Sequence, residues 1–136
     1  DIARWCRRMN IPYQPPPITT DPTIAAAGSL LAESRGCLRE YIVAVMAKEW
    51  ADGEDIGDPE VLLAVGESVG LDRAELTATI ESEEALATLE QNHAEASERG
   101  AFGVPTFIVG DQIFWGQDRI DFVAEHLDEL RGVAAA

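Results

Sequence analysis

Two short stretches of the 136-residue chain hold residue types that could do chemistry: Gly103-Val104-Pro105-Thr106 and Trp115-Gly116-Gln117-Asp118-Arg119. An X-Pro bond reaches the cis form at a cost of roughly 0.5–1 kcal/mol, and a cis proline opening a strand turns the backbone groups before it outward. Val104 would then offer its N–H and C=O to an extended peptide, much as a strand adds to a sheet edge. Spacing alone favours the plainer arrangement, a trans proline at the first position of a strand. In the second stretch, the free N–H groups of a helix's first turn and the positive end of its dipole suit a carboxylate. Asp118 at that place can pair with an ammonium, so the two together fit an α-amino acid head group. Asp118 is also a good N-cap for the N–H of Ile120 or Asp121, and Arg119 can pair with Asp121 or Glu125 or stay solvated. Together the stretches imply a ligand with a peptide backbone and a free amino-acid end, some ten residues of hairpin apart. Glutathione has that shape.

The elements that must position these residues can be read from the pattern around them. Thr106 to Val109 is a short apolar strand, Gly110-Asp111 turns the chain, and Gln112 to Trp115 is a second strand that Gly116 breaks. A helix from Asp118 follows, with Ile120, Val123, Leu127 and Leu130 as its apolar face and a frayed end at Gly132 and the final alanines. Everything upstream reads as helix. Ile2, Trp5, Cys6 and Met9 form one stripe at helical spacing, stopped by Asn10-Ile11-Pro12. Gln14-Pro15-Pro16-Pro17 runs extended as a rigid connector. Asp21-Pro22 and Asp58-Pro59 each place an N-cap before a proline at the first helical position. The first opens an alanine-rich helix through Ala32, and the second a helix burying Val61, Leu62, Val65 and Val69. Between them Tyr41, Ile42, Val45, Met46 and Trp50 repeat as a core stripe. Asp72 with Glu75 imitates a capping box, and Leu71 with Leu76 a hydrophobic staple. Ser82 caps a longer helix through Arg99, on which Leu86, Leu89 and His93 share a face. His93 is expected to pack there through a hydrogen bond. The pattern amounts to about six helices, a hairpin and a closing helix. A lone two-stranded hairpin is marginal in water, so its apolar face is expected to favour aggregation or dimerisation, which leaves a homodimer open.

Composition removes several function classes. A net charge of −15 would repel nucleic acid and anionic membrane surfaces, and no apolar run approaches the ~20 residues of a membrane span. No signal peptide is visible. Cys6 and Cys37 do not form C-x-x-C and are expected to be reduced thiols of a cytoplasmic protein. His93 and His126 lack ligand spacing, so no metal site is expected. With 46% apolar residues the chain can build one core.

Gly103-Val-Pro-Thr-Phe followed by Phe114-Trp-Gly-Gln-Asp-Arg-Ile-Asp121 resembles the C-terminal end of the 2-hydroxychromene-2-carboxylate isomerases. These are relatives of kappa-class glutathione transferases in the DsbA-like thioredoxin superfamily. The likeness extends to Arg4-Trp5, Ile11-Pro12, Glu49-Trp-Ala-Asp-Gly-Glu-Asp-Ile56 and Val69-Gly-Leu-Asp72, and so covers most of the chain. It implies an α/β thioredoxin-like fold with a helical insertion domain at 1–99, of which 1–20 is a helix end and the proline-rich connector. The cis-Pro β-hairpin and C-terminal helix follow at 100–136, with the N-terminal βαβ unit absent. The chain is therefore expected to be a fragment, lacking the serine that activates the glutathione thiol and inactive by itself. The resemblance also implies glutathione as cofactor and a small aromatic substrate. Val104 and Pro105 would face the cysteinyl backbone, and Trp115, Gly116, Gln117 and Asp118 would hold the γ-glutamyl end. Gln117 stands where family members often carry Asn or Ser, with similar donor and acceptor groups. The implied reaction is a glutathione-dependent cis–trans isomerisation in aromatic catabolism. A DsbA-like thiol–disulfide oxidoreductase, which needs a C-x-x-C in the absent N-terminal part, and a non-enzymatic helical interaction module are the alternatives.

Overall fold

Aspartates set the starts of the helices. Asp58 is extended and its carboxylate accepts the Glu60 N–H, with Pro59 in the first helical position, so α4 (Pro59–Ser68) begins as the sequence reading has it. At Asp21-Pro22 the same device is shifted by one residue. The carboxylate of Asp21 accepts both the N–H and the hydroxyl of Thr23, where α2 (Thr23–Ser34) begins. Those two bonds hold the Asp21 carboxyl below the ordinary carboxylate range, the hydroxyl bond contributing more. Asp72 caps α5 (Arg73–Ile80) through the Glu75 N–H. The reciprocal half of the capping box is replaced, because the Glu75 carboxylate takes a two-pronged bond from Arg35 forty residues away.

The computed structural model describes residues 1–17 and 19–132, so the expected fraying of the last alanines lies outside the described residues. Two units are distinguishable, Asp1–Leu89 and a second beginning at Glu90. The first contains α1 (Ile2–Met9), α2, α3 (Leu38–Ala47) with a π-helical turn at Lys48–Asp52, α4, α5 and the opening of α6 (Glu83–Glu98). Its core is made of Ala25, Ala27 and Ala32 of α2, Tyr41 and Val45 of α3, Ile56, three residues of α4, Leu71, Leu76 and Ile80 around α5, and Ala85 of α6. Small residues on α2 allow the close approach: a Cβ on Gly28 would collide with the Tyr41 hydroxyl, which donates to the Ala25 carbonyl at 3.1 Å.

Several expected core positions turn outward. On α3 only Tyr41 and Val45 are buried; Ile42 and Met46, a helical step to the side, and Trp50 beyond them are exposed. Trp50 instead stacks with Tyr13 of the connector, ring centroids 6.3 Å apart. On α6 the buried residue is Ala85, while Leu86 and His93 face solvent.

The second unit holds the remainder of α6, strand β1 (Thr106–Val109), strand β2 (Gln112–Trp115), a 3₁₀ turn at Gln117–Arg119 and helix α7 (Ile120–Leu130). The strands pair antiparallel with Thr106 opposite Trp115 and Val109 opposite Gln112. On α7, Val123 is buried and Leu127 half-buried, whereas Ile120 and Leu130 are exposed. His126 lies against Phe114 with ring centroids 5.9 Å apart.

Candidate functional site

Hairpin register builds the site. Because Thr106 pairs with Trp115, the residues just before β1 and just after β2 come side by side at the open end. The Gly116 N–H donates to the Pro105 carbonyl at 2.9 Å and closes that end. The Val104–Pro105 bond is cis, against the trans arrangement that spacing favours and in line with the family resemblance. Val104 is 94% exposed, and its N–H and C=O enter no hydrogen bond among the described residues. A free donor and acceptor on one exposed residue are what an extended peptide needs for pairing.

Two glycines are required here for physical reasons. A Cβ on Gly103 would stand 2.7 Å from Nε1 of Trp115, so the indole packs directly on the loop backbone. Gly116 has φ 106 and ψ 148, a conformation that side chains exclude, and a Cβ there would also meet the Asp118 carboxylate at 2.5 Å. Phe102 also packs against Trp115, ring centroids 5.0 Å apart at 50°.

The two stretches enclose a groove of about 430 Å³ lined by Val104, Trp115, Gly116, Gln117, Asp118 and Arg119. Five of the six candidate residues therefore share one cavity wall. Pro105 lies beside it, tied to Gly116. Asp118 is not the N-cap of the last helix. It lies within the 3₁₀ turn, makes no capping bond, and α7 starts two residues later at Ile120. The N–H groups of Gln117 and Asp118 likewise have no backbone partner among the described residues. The Asp118 carboxylate and two unengaged N–H donors are thus available along one groove, the complement of an ammonium and a carboxylate on one carbon.

Arg119 also lines the groove, a position the sequence reading assigned to pairing with Asp121 or Glu125 or to solvent. Its Nε lies 3.8 Å from Asp118 and its guanidinium 5.7 Å from the Phe122 ring. The signal that could have found it is its adjacency to Asp118 directly after the strand-breaking Gly116. Neither histidine is in the groove. Among the described residues no cluster of metal-ligating side chains exists, and no helix is long and apolar enough to cross a membrane. Cys6 and Cys37 are free thiols, each half-buried.

The description "DSBA-like thioredoxin domain" fits residues 1–128. A 2-hydroxychromene-2-carboxylate isomerase of Sphingobium xenophagum is 32% identical over 129 residues, covering 93% of this chain and 65% of that protein. Isomerases of the same name from Pseudomonas sp. strain C18 and Pseudomonas putida are 28% and 27% identical, over 88% and 96% of the chain but 56% and 64% of their own lengths. The solved structure of a 2-hydroxychromene-2-carboxylate isomerase superposes with a TM-score of 0.81 at 27% identity, covering 96% of this chain and 64% of that one. The chain thus spans less than two thirds of the length of each of these relatives.

Proposed function

The chain belongs to the DSBA-like thioredoxin domain family, and on that premise we propose that its hairpin groove is the glutathione-binding part of a cis–trans isomerase of the 2-hydroxychromene-2-carboxylate type, acting in the catabolism of small aromatic compounds. The observation that carries this reading is the single groove in which the unpaired Val104 backbone faces the same cavity as Asp118 and the free N–H groups of Gln117 and Asp118. Val104 pairs with the cysteinyl backbone of the tripeptide. At the γ-glutamyl end Asp118 accepts from the ammonium, while the turn's N–H groups donate to the carboxylate. Trp115 forms the apolar wall and keeps the Gly103 backbone in place. Bound glutathione supplies the nucleophile whose reversible addition lets a conjugated double bond rotate. These residues hold and orient it; residues 1–136 contain no Ser-Pro pair of the kind that activates the thiol in the family. The Trp115-Gly116-Gln117-Asp118-Arg119 turn, which suits an amino-acid head group, favours this reading over a thiol–disulfide oxidoreductase.

Calorimetric titration tests the ligand. Residues 1–136 are expected to bind glutathione, and Asp118→Asn to weaken it about five- to tenfold, the scale of one partly exposed charged hydrogen bond. Absence of glutathione binding by the unaltered chain sinks the proposal. The reaction is tested by substituting residues 1–128 for the aligned stretch of the Sphingobium isomerase. The chimera is expected to keep glutathione-dependent turnover, with Asp118→Asn raising the KM for glutathione.

A further inference from the structure

Thr106 is the first residue of β1, yet its hydroxyl does not stay with the sheet. It reaches back and donates to the Gly103 carbonyl at 2.5 Å. That carbonyl belongs to the peptide unit whose other end is the Val104 N–H. A peptide unit is planar, with its C=O and N–H directed oppositely, so a bond that fixes one end aims the other. Gly103 makes such a latch necessary, because without a side chain it has no steric preference to hold that plane. The indole of Trp115 packs against Gly103 from the side without bonding the carbonyl. Thr106 is itself fixed by its pairing with Trp115 across the hairpin.

We infer that Thr106 is a positioning residue for the ligand's peptide backbone: its hydroxyl, through the Gly103 carbonyl, sets the direction in which the Val104 N–H is offered to the groove. Thr106 does not touch that groove. It lines a separate cavity of about 300 Å³ with Asn92, Glu95, Ala96, Arg99 and Ile108, so its effect on the ligand runs through the backbone alone. The inference rests on the glutathione reading for the identity of the peptide that Val104 meets. It assigns the aim of Val104 to one side-chain bond, which the pattern Val-Pro-Thr does not reveal. A distinct consequence follows for the two ends of the ligand. Losing the latch weakens recognition of the cysteinyl backbone and leaves the γ-glutamyl end, held by Asp118 and its turn, as it was.

The test uses the full chain and two probes, glutathione and free L-glutamate, the latter carrying the head group without the cysteinyl peptide. Thr106→Val keeps the shape of the side chain and removes the hydroxyl; Thr106→Ser restores it. Glutathione affinity is expected to fall about fivefold to tenfold in Thr106→Val, the scale of one hydrogen bond, and to return in Thr106→Ser. Glutamate affinity is expected to stay within twofold throughout. Amide spectra of the unaltered chain supply a readout that does not depend on the variants folding: glutathione must shift the Val104 amide resonance and glutamate must leave it in place. If the unaltered chain binds neither probe, the glutathione reading falls and the inference with it. If glutathione binds and shifts the Val104 resonance while Thr106→Val binds equally well, or loses both probes alike, the inference alone is overturned; a Val104 resonance that glutathione does not move removes the cysteinyl pairing and overturns both.

Discussion

The helical unit and the hairpin unit use their apolar residues in opposite ways. In the helical unit thirteen of the described hydrophobic residues close into one core, with Leu62, Leu76, Ala27 and Ala32 fully out of water. In the hairpin unit Val123 is the one buried hydrophobic residue among those described, while Phe102, Val104, Ile113, Trp115, Ile120 and Phe122 stay exposed. Every candidate ligand contact lies in the second. Burial of apolar surface is the main source of stability, so the unit that carries the candidate site contributes little of it, and the unit that contributes most carries no candidate site residue. Free backbone groups and uncovered aromatic faces are what a ligand or partner surface needs, and they are what a closed core removes.

Truncating one side chain in each unit gives the largest expected contrast. Leu76 is fully buried, and its Cδ2 fills the place that a Cβ on Gly66 would take. Leu76→Ala is expected to lower the stability of the helical unit by about 2–5 kcal/mol, the range for cavity-forming core truncations. Ile113→Ala, at a position 45% exposed, should cost less than about 1 kcal/mol. Hydrogen exchange followed residue by residue in urea resolves the two units separately. Equal losses at the two positions would break the comparison, because they would mean that the hairpin unit encloses a core of its own.

An alteration at Gly116 should act in the opposite direction, on the ligand and not on the core. Alanine there must adopt a φ near 106, and its Cβ would press on the Asp118 carboxylate. Such a residue costs of order 1–3 kcal/mol in strain, relieved if the turn changes its path and carries Gln117 and Asp118 out of the groove. Gly116→Ala is expected to reduce glutathione affinity tenfold or more. Exchange protection of Leu62, Val65 and Leu76 should remain unchanged. Retained affinity would show that the turn's conformation does not matter for binding.

The two units were also unequally legible in the sequence. Helix starts were readable wherever capping is local: Asp58-Pro59 needs no partner beyond Glu60. The box at Asp72 was half legible, since the carboxylate of Glu75 is claimed by Arg35, and pairing across forty residues leaves no trace in spacing. Helical periodicity identified α3 but could not choose between the face of Tyr41 and Val45 and the neighbouring face of Ile42 and Met46. That choice was made by Gly28, which opens a gap on α2 that fits a tyrosine ring and its hydroxyl. At the candidate site, residue types singled out two separate stretches, and the four-pair register of the hairpin brought them into one groove. The cis state of Val104–Pro105 was beyond spacing, because an X-Pro pair at a strand start suits either isomer. Asp118 was ambiguous for a similar reason: a carboxylate that can cap a helix looks in sequence like one left free to bind.

Alkaline pH offers the smallest and most selective contrast, since both tyrosines of the chain, Tyr13 and Tyr41, precede residue 90. Burial pushes the Tyr41 phenol well above its ordinary value, because an ionised phenolate would have to form inside the core. The folded-state pKa is the raised one. Below about pH 10 the phenol is neutral in folded and unfolded chains alike, and Tyr41 imposes no penalty. Above it the unfolded chain ionises and the folded one does not, so stability falls by up to about 1.4 kcal/mol per pH unit. Lys48 adds a weaker loss in the same direction and the same unit. Its hydrogen bonds to Asp52 first, and then to Glu54, keep the ammonium charged to higher pH in the fold, and that gain disappears as the group titrates. Tyr41→Phe separates the two. It should cost about 1 kcal/mol at neutral pH for the lost bond to the Ala25 carbonyl, and leave only the shallow Lys48 decline above pH 10. Urea midpoints of the helical unit from pH 8 to 11, with and without the substitution, measure the difference. An undiminished alkaline decline in Tyr41→Phe would place the titrating group elsewhere and remove the pH signature that distinguishes the enclosed unit from the open one.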